Sequence, residues 1–227
     1  MAGWISQGCR LTLRKPAYWL SLAIATWVPA IAITFVPVAG NYLRTFISTF
    51  IGALALALAF TQLSEEGISW RRAVSIVVRA GPALFVLSML DVALFALVDL
   101  PVIRAIATDR EFDLYALTAL GNGSARPLVD LVHTVVLTLA SSVFQFAAPL
   151  VMFSGSSLWQ ALRGSVTAFA LSFPVYVAYD VLTVVIPHSL VATVGIAGAA
   201  LFLVIAILLT PSGIFVYRSA FGGEPLN

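Results

Sequence analysis

Residues 191–209 contain nothing more polar than Thr193. As an α-helix rising ~1.5 Å per residue this run is ~28 Å long, close to the hydrocarbon thickness of a bilayer. A soluble fold would have to bury all of it, and the composition leaves little to wet the outside. The 227 residues are 61% hydrophobic and 10% charged, where a soluble domain carries about 25% charged residues. Backbone amides in lipid must be satisfied within the segment, so an isolated strand cannot cross. The chain therefore reads as an all-α, polytopic membrane helix bundle forming a single integral domain.

Six spans are expected, at about 17–36, 42–61, 83–100, 128–152, 166–186 and 190–210. The first is too long for a signal-peptide core and is read as retained. Pro29 and Pro174 kink spans one and five, and Pro149 bends or ends span four. Short turns rich in Pro, Gly, Asn and Ser separate the spans, including Pro37-Val38-Ala39-Gly40-Asn41, Ser154-Gly155-Ser156-Ser157 and Pro187-His188-Ser189. Pro211-Ser212-Gly213 breaks span six before a short interfacial tail.

Three amphipathic segments are expected to lie in the interface on one side. In the first, Trp4, Gly8 and Leu11 share one helical face, and Gln7, Arg10 and Arg14 share another. In the second, Arg71, Ser75 and Arg79 recur at spacing four with Arg72 beside them, while Trp70, Val74 and Val77 face away. Gly81-Pro82 is expected to end that segment and open span three. In the third, Leu158, Leu162, Val166 and Phe169 oppose Gln160, Arg163 and Thr167. Trp4, Arg71, Arg72, Trp159 and Arg163 are the expected interfacial anchors. Matching separations, Trp4 to Pro16 with Trp70 to Pro82 and Trp70 to Asp91 with Trp159 to Asp180, suggest a threefold parallel hairpin repeat.

With six spans, Arg10, Arg14, Lys15, Arg71, Arg72, Arg79, Arg163 and Arg218 fall on one side, and Arg44, Arg104, Arg110 and Arg126 on the other. The excess of positive charge places both termini in the cytoplasm. A net charge of +2 with no basic block gives no reason to expect nucleic acid. One cysteine, Cys9, excludes an intrachain disulfide or a thiolate cluster. His133 and His188 lie on different spans and form no metal pair at helical spacing.

An ionised group at mid-membrane costs roughly 2.5–3.5 kcal/mol on insertion scales, so each needs a reason. Asp91, Asp99, Asp130, His133 and Asp180 all fall at mid-depth or in the half opposite the amphipathic segments. Asp130 and His133, at i and i+3, share a face. Asp91, Asp130, His133 and Asp180 form the candidate intramembrane polar cluster. They either line a water-accessible cavity for a proton, a cation or a polar headgroup, or are spent on pairing and interface contacts. Gln145 is expected to make an interhelical hydrogen bond, and the small residues Gly195 to Ala200 to allow close packing. No nucleophile elbow, phosphate loop or metal set is evident, and neither catalysis nor a cofactor is expected.

The segment FAAPLVMFSGSSLWQALRGSVTAF, the Pro-containing span after it and the ending VYRSAFGG resemble a family of bacterial inner-membrane proteins. That family is related to the membrane domain of some glycerophosphoryl diester phosphodiesterases. GWISQGCRLTLRKPAYW and the VPVAG turn fit the same pattern. The resemblance implies six helices with interfacial segments in a bacterial cytoplasmic (inner) membrane. The phosphodiesterase catalytic domain is absent from this sequence, so no hydrolytic activity is implied.

The expected role is a non-catalytic membrane protein that acts by packing, as an accessory or scaffold subunit or as a homo-oligomer. Its partners would be membrane lipids and other integral subunits or itself. The alternative is a small transporter or lipid-handling protein that uses the acidic cluster. A weaker third expectation gives the amphipathic segments a membrane-sensing role.

Overall fold

The computed structural model describes residues 2–34, 36, 39–64, 68–107, 135–136, 142–181, 207 and 211–221. Among these every regular element is a helix: α1 (Ala2–Arg14), α2 (Pro16–Thr34), α3 (Gly40–Leu63), α4 (Trp70–Ala107), α5 (Ala147–Ser154), α6 (Leu158–Leu171), α7 (Phe173–Asp180) and α8 (Ser212–Phe221). Of these, α3 and the Trp70–Val98 part of α4 are long and apolar enough to cross a membrane. Residues 128–134 and 137–141 of span four, nearly all of span six, the Pro187-His188-Ser189 turn and the Gly195 to Ala200 face lie outside the described residues.

The centre of the packing is the second half of α3. Ala53, Ala55, Ala57, Leu58 and Ala59 are buried, and α2, α4, α5 and α8 all pack against this helix. Alanines all round a helix let several neighbours approach its backbone at once, which is how helices associate where lipid removes the hydrophobic incentive. With α4, α3 forms an antiparallel hairpin. Ala73, Ile76, Ala80, Leu84, Leu87 and Ser88 are the buried stripe of α4, and Phe46 packs edge-on to Phe85 at 5.6 Å.

Pro82 does not end the amphipathic segment. The helix runs through Gly81 and Pro82 without a break. Proline removes one backbone donor, but Ala80 and Leu84 on either side are both buried in the core, and that packing holds the helical path. Segment and span are therefore one helix of 38 residues, ~57 Å at the usual rise and far longer than the ~30 Å hydrocarbon layer.

Proline does act at Lys15. Pro16 has no N–H for the carbonyl of Thr12, and the Lys15 amide takes that place at 3.1 Å. The carbonyl of Leu11 thereby loses its i+4 donor inside the helix and is capped from α3: Gln62 Nε2 donates to it at 2.9 Å, while Trp19 Nε1 donates to Gln62 Oε1 at 2.9 Å. Gln62 is buried. It joins α1, α2 and α3.

Two further expectations are revised. The apolar face of α1 is covered by protein, because Gly8 sits against Ser212 of α8, where an added Cβ would lie 2.8 Å from the serine Cβ. Residues 212–221 are correspondingly a packed helix, with Ile214, Val216 and Tyr217 buried, and not a superficial tail. Within span four, residues 143–146 turn, with Gln145 N donating to Ser142 O and Ala147 N to Phe144 O. Pro149 thus lies inside the short helix α5 that follows. In span five the chain breaks at Ser172, and Pro174 sits in the first turn of α7.

Replacing Gly8 by Leu forces α8 away from α1 and costs about 1–3 kcal/mol, the usual penalty for overpacking. Gly3→Leu, which meets open space, is the control and leaves the thermal midpoint in detergent within a degree or two. Gln62→Leu strands the Trp19 N–H and the Leu11 carbonyl, and lowers stability by about 1–3 kcal/mol for each group left unsatisfied.

Candidate functional site

Four parts of the chain meet at one end of the bundle. The 60–72 region touches the end of α1 through Gln62. The 152–157 turn faces the start of α4, and Tyr217 of α8 reaches Ser154, their hydroxyls 3.5 Å apart. Between them lies an open groove of about 680 Å³, lined by Phe60, Ser69, Arg71, Arg72, Ser75, Ile76, Arg79, Met152, Phe153, Ser154 and Gly155.

One wall is the first two and a half turns of α4. Ser69 caps this helix: its carbonyl accepts from Ala73 N at 3.0 Å, its Oγ accepts from Arg72 N at 3.3 Å, and its own N–H donates to Thr61 Oγ1 at 3.3 Å. The first turn holds Arg71 and Arg72 and no acidic residue, although the N-terminal end of a helix favours negative charge. Arg71, Ser75 and Arg79 recur at spacing four, so one face presents guanidinium, hydroxyl and guanidinium in a row.

The other wall is the end of α5. Gly155 adopts the left-handed conformation (φ 62°) that closes a helix, with its N–H donating to Leu150 O, and nothing but glycine does this without strain. Ser154 Oγ donates to the same carbonyl at 2.7 Å. Beneath the turn, Phe153 stacks on Phe60 at 4.8 Å and lies 5.8 Å from the Tyr217 ring, which fixes α5 to α3 and α8. Ser157 and Gln160 form a reciprocal capping box that starts α6. The fully buried Ser165 then ties α6 back, accepting from Phe146 N at 3.1 Å and donating to Val143 O at 2.8 Å.

Among the described residues, those lining the groove include no carboxylate and no histidine. Among its described residues the groove therefore offers positive charge, hydroxyl groups and an aromatic floor.

Of the candidate polar cluster, the structure positions Asp91. Thr49 Oγ1 donates to Asp91 Oδ2 at 3.0 Å, and Asp91 Oδ1 is buried with no hydrogen-bond partner among the described residues. One turn away, Ser88 Oγ donates to the carbonyl of Phe46 at 3.0 Å, so two polar contacts lock α3 to α4. Asp99 lies within α4 and Asp180 is the last residue of α7; Asp130 and His133 lie outside the described residues. Arg71 and Arg72 line the groove, Trp159 is 75% exposed and Arg163 is exposed on α6, and Trp4 is half-buried against the core.

Gln62, Ser165, Thr49 and Phe153 were not singled out from the sequence. Their signal was present for Ser165, which belongs to the buried stripe Ala161, Ser165, Ala168 of α6. That stripe is the small-residue face of the helix. On the apolar face, Leu158, Leu162 and Phe169 are half-buried against the core and Val166 is exposed. Comparison with family models, curated proteins and solved structures finds no match for the chain.

A double-mutant cycle of Thr49→Val and Asp91→Ala measures the α3–α4 bond. A coupling of about 0.6 kcal/mol, and no more than about 1.7, is expected for an interhelical hydrogen bond within a membrane. It is read from unfolding in mixed micelles.

Proposed function

We propose that this chain is a non-catalytic, multi-pass membrane protein that acts by packing, as an accessory or scaffold subunit or as a homo-oligomer. One observation carries this most directly. The most apolar window of Trp70–Val98 is only 17% buried, with Trp70, Val74, Val78, Phe85, Val86, Met89 and Leu97 exposed along the helix. The core helix of a soluble domain would be mostly covered. A long bare apolar face is stable against lipid or against another helix.

Six spans with both termini on the cytoplasmic side of a bacterial inner membrane are the topology we infer, and the threefold repeat belongs with it. The meeting of α1, residues 60–72, residues 152–157 and α8 at one end supports the placing of these segments on one side. The relation to the membrane domain of glycerophosphoryl diester phosphodiesterases is proposed on the sequence motifs alone. Topology is tested by changing Cys9 to Ser and introducing single cysteines. Ser156→Cys should react with an impermeant thiol reagent only in inside-out vesicles, and Asn41→Cys only in right-side-out vesicles.

Gentle-detergent extraction with native mass spectrometry tests the packing role, and a homo-oligomer or a stoichiometric membrane partner is expected. A monodisperse monomer without a partner refutes it. The alternative, transport or lipid handling through the acidic cluster, draws its support from the buried Asp91 Oδ1. It fails if Asp91→Asn together with Asp180→Asn changes neither stability nor any transport or lipid phenotype.

A further inference from the structure

We propose that the groove between the start of α4 and the 152–155 turn binds the phosphate headgroup of an anionic phospholipid. Arg71 and Arg79 would be its ligands, with the aromatic floor beneath the lipid's glycerol region. This inference is independent of the packing role.

Charge comes first. Arg71 and Arg79 are eight residues apart on one helical face, ~12 Å along the axis, with Ser75 midway. An anionic group over Ser75 lies within reach of both guanidinium groups, and the serine hydroxyl can donate to it. Among the described residues neither Arg71 nor Arg79 has a carboxylate partner, and no acidic side chain among them lines the groove. Arginine suits phosphate because its planar fork donates two parallel hydrogen bonds to two oxygens. The absence of an acidic residue from the first turn of α4 leaves the positive end of the helix dipole to add to the same field.

The second argument is shape. A site for a free inorganic anion would be polar on every side. Here the arginine wall faces Phe60, Ile76, Met152 and Phe153, an apolar floor that offers a phosphate nothing and suits the glycerol and first methylenes of a lipid. Depth supports the same assignment. The uncharged stretch of α4 begins just beyond Arg79 and runs to Asp91, which puts the arginines at headgroup level when that stretch lies in the hydrocarbon.

The test uses the full-length protein in detergent, titrated with phosphatidylglycerol, with phosphatidylcholine and with inorganic phosphate. Binding is read by native mass spectrometry and by the fluorescence of Trp70, the neighbour of Arg71. Phosphatidylglycerol should bind at least tenfold tighter than phosphatidylcholine. Arg71→Gln with Arg79→Gln should abolish that preference, while Arg163→Gln, an exposed arginine outside the groove, should leave it within twofold. Inorganic phosphate at 10 mM should displace less than half of the bound phosphatidylglycerol.

If the double variant loses helicity, Ser75→Glu replaces it. That change puts a negative charge on an exposed position in the middle of the face, and should lower phosphatidylglycerol affinity at least tenfold in a folded protein. An unchanged lipid preference in either variant overturns the proposal. So does equal loss in Arg163→Gln, which would make the effect one of overall charge. Full displacement by inorganic phosphate overturns it in favour of a free-anion site.

Discussion

The structure depends on how closely other helices can approach α3. Its second half carries an alanine at every other position from 53 to 59, and these alanines are buried. Leucines there would hold the neighbours several ångströms further out. Dispersion contacts would then weaken on four interfaces together, because each depends on short separation. The same closeness lets a single side chain at the end of α3 serve three helices. Gln62 has one acceptor and two donors. The bend at Lys15 supplies a carbonyl that has lost its donor, and Trp19 an indole N–H that needs an acceptor. Without a polar residue at that point, both groups would be buried and unsatisfied.

The helical class was legible in the sequence, for reasons that can be traced. The long apolar runs identified helices, since no other single segment satisfies its own backbone in lipid. Lys15-Pro16 marked a true boundary because Pro16 leaves the Thr12 carbonyl without its helical donor. Gly81-Pro82 did not, because buried residues on both sides hold the helix on α3. Local chemistry was the same in kind, and tertiary contact decided the outcome. The turn at 143–146 had no Gly or Pro to announce it. It is stabilised from α6 by Ser165, more than eighteen residues further along the chain.

The assignment of faces was the least legible part. An amphipathic pattern usually points its large apolar side chains at the protein core. Here small residues take many of the buried positions: Ala73, Ala80 and Ser88 on α4 beside Ile76, Leu84 and Leu87, Ala161, Ser165 and Ala168 on α6, and Gly8 on α1 beside Leu11. Larger residues such as Val74, Val78 and Leu171 are exposed. Lipid tails solvate a valine as well as a protein interior does, so apolarity no longer sorts the faces. Size does, because small residues allow backbones to meet. Read by size, the sequence would have indicated the buried side of α6, with Ala161, Ser165 and Ala168.

Position along α4 then separates two uses of polarity. Asp91 lies twelve residues from Arg79, ~18 Å along the helix. Asp91 spends one oxygen on Thr49, and with Ser88 holds α4 to α3, so its polarity is used for cohesion. At the start of the same helix Arg71 and Arg79 are exposed, and an exposed guanidinium carries little cost. Charge that is cheap to leave unpaired is also available to a ligand. One helix can therefore be fixed in place by its middle and bind by its end, and the ~18 Å between the two keeps either function from disturbing the other.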